Sequence, residues 1–223
     1  MIYGDRYMLE KMSEFFEKRL SGYDEHMLTE IEGAGEFYPY TASLLPKSPG
    51  CMILDLGCGT GLELEEYFKI NPTARITGID LSEAMLKALS AKFEDNELNL
   101  ICGSYFDTKL GNGVFDAAVS VESLHHFTKE QKLKLYRRLK DSLKPKGYFV
   151  LTDYFAESEE LEAEYFNTFA VLKREQGIND DDFYHYDTPL TVEHEIAVLK
   201  QAGFSEIVVK RNWGATYTLV SMR

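Results

Sequence analysis

The octapeptide LDLGCGTG, Leu54 to Gly61, lies between an apolar run (Cys51 to Leu54) and a helix-forming run (Leu62 to Phe68). Strand, glycine turn and helix in that order bring bare backbone and the unpaired N–H groups of a helix start to one place. A nucleoside cofactor lying against that turn is the first expectation. Spacing narrows the choice. Gly57, Gly59 and Gly61 stand as G-x-G-x-G, whereas a dinucleotide-binding turn reads G-x-G-x-x-G. Downstream, Ala74 to Ile79 reads as a short strand ending in Asp80, a carboxylate placed to accept hydrogen bonds from both hydroxyls of a ribose. A free ribose diol is therefore favoured over a 2′-phosphate.

From Cys51 onward the pattern is regular. Strand one ends at Asp55 and strand two at Asp80, and Ser82 caps a helix carrying Met85, Leu86, Leu89 and Phe93. Strand three is Leu98 to Cys102 and strand four Val114 to Ser120. Thr128 and Gln131 form a capping box for a helix that stops before Pro145 and Gly147, and strand five is Tyr148 to Asp153. This alternation implies a three-layer α/β/α, doubly wound sheet with helices on both faces. Near the C-terminus, Thr188 or Thr191 caps a helix ending at Gly203, and Phe204 to Arg211 and Ala215 to Met222 read as strands whose short connection forces antiparallel pairing. Before the first strand, residues 6 to 20 carry Met8, Met12, Phe15, Phe16 and Leu20 on one helical face, and Phe37 to Leu45 offers a second short helix. A single domain follows: a helical cap (1–48), a cofactor-binding core (51–154), a lid insert (155–187), and a C-terminal helix with an edge hairpin (188–223).

Against 24 Lys and Arg stand 37 Asp and Glu, a formal charge of −13 over 223 residues. That field repels phosphate backbones, so nucleic acid is a disfavoured partner unless a local basic patch overrides it. The best candidate patch, Lys129 to Lys146, repeats Leu133, Tyr136, Leu139 and Leu143 at helical spacing and reads as the solvent face of a packed helix. Cys51, Cys58 and Cys102 have neither disulfide nor zinc spacing. No run approaches a membrane span, and the charged start MIYGDRYMLEKM is unlike a signal peptide, so a cytoplasmic setting is the default. The edge strand and the N-terminal helices leave room for a homodimer.

Four segments in order, LDLGCGTG, GIDLS (Gly78 to Ser82), FDAAVS (Phe115 to Ser120) and LKPKGYFVLTD (Leu143 to Asp153), resemble those of the class I S-adenosylmethionine-dependent methyltransferases. The resemblance implies a Rossmann-like sheet of seven strands, mostly parallel with one antiparallel edge strand. It also implies S-adenosyl-L-methionine as cofactor. On that resemblance Asp55 helps hold the amino group of the methionyl part, Gly57, Cys58 and Gly59 supply a backbone bed, Asp80 takes the ribose, and Leu81 and Met85 flank the adenine. After strand three the family often places an acidic residue on the adenine amino group; here Gly103, Ser104 and Tyr105 stand instead. Ser104 could accept that hydrogen bond and Tyr105 could stack, with Asp107 a nearby alternative.

Val121 to Phe127 (VESLHHF) resembles the family's loop at the sulfonium end of the cofactor. Paired histidines invite a metal, but adjacent residues of an extended loop point to opposite sides and no third ligand is evident, so no metal site is assigned. If the reaction needs a base, His126 or His125 is the candidate, because a neutral imidazole is available near pH 7. Tyr23 and His26 fall in a loop, SGYDEHM. Similar enzymes often close a tyrosine from this region over the methionyl group, and Tyr23 or Tyr38 could do so; the alternative is an aromatic that anchors the first helix. In the insert, Asp180, Asp181 and Asp182 ahead of Phe183, Tyr184, His185 and Tyr186 read as an acidic lid on an aromatic foot, or as a solvated loop.

Methyl transfer is an in-line displacement, in which alignment alone is worth ~7–11 kcal/mol. The expected function is transfer of a methyl group to a small-molecule acceptor, releasing S-adenosylhomocysteine. The alternatives are a tRNA or protein acceptor, or a protein that modifies the cofactor or binds it for regulation.

Overall fold

The computed structural model describes residues 8–179 and 182–223; Asp180 and Asp181 of the expected acidic lid lie outside them. Seven strands form one sheet in the order β3-β2-β1-β4-β5-β7-β6. They are β1 (Met52–Leu56), β2 (Arg75–Asp80), β3 (Glu97–Cys102), β4 (Phe115–Val121), β5 (Leu143–Tyr154), β6 (Ser205–Trp213) and β7 (Thr216–Met222). The first five run parallel. β7 runs against both β5 and β6, so the reversed strand sits one place in from the sheet's edge.

β1 is buried almost throughout because it lies centrally with helices on both faces. Its side chains alternate between two cores. Leu54 and Leu56 join Leu135, Leu139 and Leu199 on one face, whereas Ile53 joins Phe37, Leu64 and Leu89 on the other. The first core is covered by α6 (Lys129–Ser142) and α8 (Val192–Ala202); the second by α3 (Ala34–Ser43), α4 (Leu62–Ile70) and α5 (Glu83–Lys92). Expected caps form: Ser82 accepts from the Met85 N–H, and Thr128 and Gln131 make the reciprocal capping box. Thr191 caps α8, while Thr188 donates instead to the His125 carbonyl. Across the sheet, the buried hydroxyls of Thr41, Thr152 and Thr218 form a chain with spacings of 2.6 and 2.8 Å, joining α3 to β5 and β7.

The N-terminal segment differs from the expectation. Three helices form, α1 (Met12–Arg19), α2 (Tyr23–Glu30) and α3, so SGYDEHM is a helix start with Gly22 in the left-handed region at its N-cap. The insert contains an 18-residue helix, α7 (Glu159–Gln176). Beyond it the chain pairs with the N-terminus: the Met12 N–H donates to the Phe183 carbonyl, the His185 N–H to the Glu10 carbonyl, and Lys11 pairs with Asp182. Most insert aromatics serve this packing. Phe183 stacks on Phe106, and Phe169 on Tyr186.

The basic patch is divided: Lys134, Arg137 and Lys146 are exposed, and four other basic side chains are engaged within the fold. Lys129 pairs with Glu162, Lys132 with Glu195 in the core, and Lys144 with Asp116, while Arg138 is spent on the carbonyls of Tyr105, Phe106 and Thr108. Among the described residues no helix is long and apolar enough to cross a membrane.

Candidate active site

Strand order reverses direction of growth between β1 and β4, and a ligand crevice opens outside the carboxyl ends of such strands. The glycine turn lies there. Gly57 has φ +76°, and a Cβ on it would lie 2.0 Å from the Ser123 hydroxyl oxygen. Gly59 has φ +47°, and a Cβ there would meet nothing within 4 Å, so it would project into open space. Asp80 crosses the turn: one carboxylate oxygen accepts from the Gly59 N–H at 2.9 Å, the other from the Ser82 N–H at 2.8 Å. A cavity of about 50 Å³ follows, lined by Gly57, Gly59, Asp80, Leu81, Met85, Tyr105 and Val121 among others.

Asp55 and Glu63 are fully enclosed and line neither cavity, and both Asp55 oxygens and one Glu63 oxygen lack a hydrogen-bond partner. Burial raises both carboxyl pKa values, and the neighbouring acid raises that of Asp55 further. Buried carboxyls without donors are costly unless a cation or a proton is supplied. An ammonium group is what this pair lacks, and the methionyl end of S-adenosylmethionine carries one. The Gly59 ledge and the Asp80 carboxylate fit the rest of that molecule.

Cys58 was expected to offer its backbone only; its N–H donates to the Ile79 carbonyl at 3.3 Å, and its buried side chain lies 2.7 Å from where a Gly78 Cβ would stand. One expected side-chain contact points elsewhere. Ser104 caps a turn, its hydroxyl accepting from the Phe106 N–H at 3.1 Å, and it lines neither cavity. Asp107 is exposed. Tyr105 does line the small cavity, its hydroxyl 3.3 Å from that of Ser123. Tyr38 packs into the core against Phe37.

A second cavity of about 770 Å³ adjoins the first, and Phe16, Tyr23, Glu122 and His126 line both. α1 and α2 form its lid. Thr60 of the glycine turn donates to Asp24, and Lys92 pairs with Asp24 at 2.8 Å, which ties the start of α2 to the cofactor end. Tyr23 therefore overhangs the junction, and burial together with the Glu63, Asp80 and Glu122 carboxylates keeps its hydroxyl protonated. Of the described insert residues, His185 and Asp187 reach this cavity; the aromatic foot otherwise packs the insert down.

Glu122 was not singled out by the sequence. It is a non-glycine residue at φ +48°, partly buried with its side chain 10% exposed, its carboxylate accepting from Thr216 at 3.1 Å and its pKa pushed up to about 8 by desolvation. A left-handed conformation held at a cavity junction is a mark of a functional position. A glutamate immediately after the buried end of β4 was the available signal.

The two histidines correct the extended-loop reading. Leu124–His126 is a turn of 3₁₀-helix, started by Asp153 accepting from the Leu124 N–H at 3.0 Å. It brings both rings to the same side, with centroids 4.0 Å apart. The His125 Nδ1 lies 2.6 Å from Asp153, and its Nε2 3.5 Å from Asp187; the His126 Nδ1 lies 3.3 Å from the same Asp187 oxygen. Burial opposes charge on His125, but the carboxylates of Asp153 and Asp187 overcome it and raise its pKa. His126 is held neutral by burial and by the charge on His125. Burial also pushes His185 down to about 4.

Comparison with known proteins agrees with this geometry. Residues 53–147 match a family described as Methyltransferase domain. A carboxy-S-adenosyl-L-methionine synthase of Nautilia profundicola is 26% identical over 228 residues, covering 96% of each chain. Two solved structures share the fold. An S-adenosylmethionine-dependent methyltransferase from Mesorhizobium loti superposes with a TM-score of 0.59 at 20% identity, over 83% of this chain and 96% of that one. Haemonchus contortus phosphoethanolamine N-methyltransferase 2, in complex with S-adenosyl-L-methionine, gives 0.67 at 19% identity, over 89% of this chain and 44% of that one. Residues 53–147 thus match a methyltransferase domain, and the seven-stranded sheet with its glycine turn beside Asp80 is the fold of the S-adenosylmethionine-dependent methyltransferases.

Proposed function

We propose that the enzyme methylates a small molecule held in the larger cavity. The observation that carries this reading is the shared wall: Phe16, Tyr23, Glu122 and His126 border both cavities, so an acceptor in one faces the reactive end of whatever occupies the other. A volume of about 770 Å³ falls within the range for small-molecule sites. Phe15, Phe16, Tyr154 and Trp213 offer apolar surface, while Glu30, Glu122 and Asp187 favour a neutral or cationic acceptor over a polyanion. Paired lysines in α6 and the net charge argue in the same direction, against tRNA.

Bound S-adenosylmethionine supplies the methyl group and leaves as S-adenosylhomocysteine. In this reading Asp55 and Glu63 receive the methionyl ammonium, Asp80 the ribose hydroxyls, and Leu81, Met85 and Tyr105 the adenine. Tyr23 and Phe16 close the junction from α1 and α2 and keep water out. Glu122 is placed to accept a hydrogen bond or proton from the acceptor's nucleophilic atom, with His126 beside it.

A second reading has one observation in its favour: the end-to-end match to a synthase whose name says it makes carboxy-S-adenosyl-L-methionine. Mass spectrometry of the nucleosides formed from S-adenosylmethionine tests both. S-adenosylhomocysteine with a methylated amine, phenol or thiol from a small-molecule panel is expected. A modified sulfonium, or turnover with bulk tRNA and with none of the panel, would overturn the proposal.

A further inference from the structure

We infer that His125, His126 and Asp187 form a binding site for one divalent first-row transition-metal ion in the wall of the larger cavity. Two donors, each ~2.1 Å from a tetrahedral ion, stand about 3.4 Å apart. The Asp187 oxygen is 3.5 Å from the His125 Nε2 and 3.3 Å from the His126 Nδ1. The donor atoms all lie within 4.8 Å of one another.

The surroundings are those of a built site. Asp153 takes the His125 Nδ1 at 2.6 Å, so Nε2 is the nitrogen that faces Asp187 and would give up its proton to bind an ion. A carboxylate behind a ligating histidine in this way fixes the tautomer and the ring, and is the usual outer partner in metal sites. Asp153 is itself held by the N–H groups of Leu124 and Tyr154, both at 3.0 Å. Asp187 is held across from the histidines by its neighbours: Thr188 N–H donates to the His125 carbonyl at 2.8 Å, and the His126 Nδ1–H donates to the Tyr186 carbonyl at 3.2 Å, a proton that the bound ion would displace to solvent.

Charge and access agree. Glu122, Asp153 and Asp187 surround His125, whereas Lys18 and Arg19, which also line the cavity, are engaged by Glu10 at its rim. Asp187 is 47% exposed, so an ion can enter from the cavity without unfolding the turn. Two imidazoles and one carboxylate suit zinc, iron(II) or cobalt(II) better than magnesium or calcium, which prefer oxygen. Positions left open on such an ion face the acceptor cavity, where a metal-bound hydroxyl would lose its proton more readily.

Cobalt(II) titration of the chelator-treated full chain tests the site. The wild type is expected to take up one equivalent with visible ligand-field bands. Asp187→Asn and His126→Ala should abolish the bands, and Asp153→Asn should weaken cobalt binding ~10–100-fold. His26→Ala, a change elsewhere in the same cavity, should leave the bands intact. Asp187→Asn alters an exposed side chain and is expected to fold, which circular dichroism checks; its S-adenosylhomocysteine affinity, measured by calorimetry, should remain, separating this site from the cofactor site. No ligand-field bands in the wild type, or the same bands and affinity in Asp187→Asn, would overturn the inference.

Discussion

Asp55 and Glu63 confront each other beneath the glycine turn with no N–H or O–H donor to either oxygen of Asp55. One sits at the end of β1 and the other in the first turn of α4, so the strand–turn–helix unit itself creates the pair. Burial favours the protonated form of both carboxyls, so an ammonium that binds them, as proposed for the cofactor, would displace that proton.

Cofactor binding should therefore release protons. Calorimetry of S-adenosylhomocysteine binding in buffers of different ionisation enthalpy is expected to show proton release near pH 7, and affinity rising with pH through the elevated carboxyl range. Asp55→Asn should lower affinity about 10–100-fold, the worth of a hydrogen bond to a charged group. Unchanged affinity in that variant would remove the pair from the cofactor site.

The same pair sets a stability gradient. Both carboxyls titrate higher in the folded protein than in the unfolded chain, so the folded state binds more protons in between. Stability of the cofactor-free enzyme should rise as pH falls from above the folded pKa values toward the unfolded range near 4. Thermal melts across pH 8 to about 5 should show a steeper gradient in the wild type than in Asp55→Asn/Glu63→Gln; equal gradients would refute this.

Two glycines of one turn should fail differently. Gly57→Ala drives a Cβ into Ser123 and is expected to cost at least about 1–3 kcal/mol of stability, as overpacking does. Gly59→Ala meets open space, so its stability cost should stay near the ~1–2 kcal/mol of a left-handed non-glycine residue. Its Cβ instead occupies the ledge, and S-adenosylhomocysteine affinity should fall at least tenfold, or about 1.4 kcal/mol. Denaturant titration and calorimetry on both variants separate the two effects.

The cofactor half of the site was legible in the chain because it is local. Gly57, Gly59, Asp80, Leu81 and Met85 follow from one strand–turn–helix repeat, and all reach the cavity. Ser104 falls outside it because its hydroxyl is taken by the Phe106 N–H two residues on, a local turn that the strand pattern does not announce. The acceptor half is assembled from distant segments: Phe15, Glu122, Asp187 and Trp213 meet only after the sheet has closed. The histidine pair was misread for the same reason, since the 3₁₀ turn that aligns both rings is started by Asp153, at the far end of β5.

Glu122 carries the test of how the two halves communicate. Its backbone sits at φ +48°, its carboxylate is fixed by Thr216, and it borders both cavities. Glu122→Gln keeps the shape and one acceptor oxygen but removes a carboxyl able to take up and return a proton, its pKa pushed up to about 8. With the native acceptor, kcat/KM should fall roughly 10²-fold or more, as for loss of a positioned proton acceptor. S-adenosylhomocysteine affinity should change less than about twofold, under 0.5 kcal/mol, because no cofactor-holding role is assigned to this carboxylate. Parallel losses in cofactor affinity and turnover would instead place Glu122 among the cofactor ligands and leave the acceptor cavity without its carboxylate at the junction.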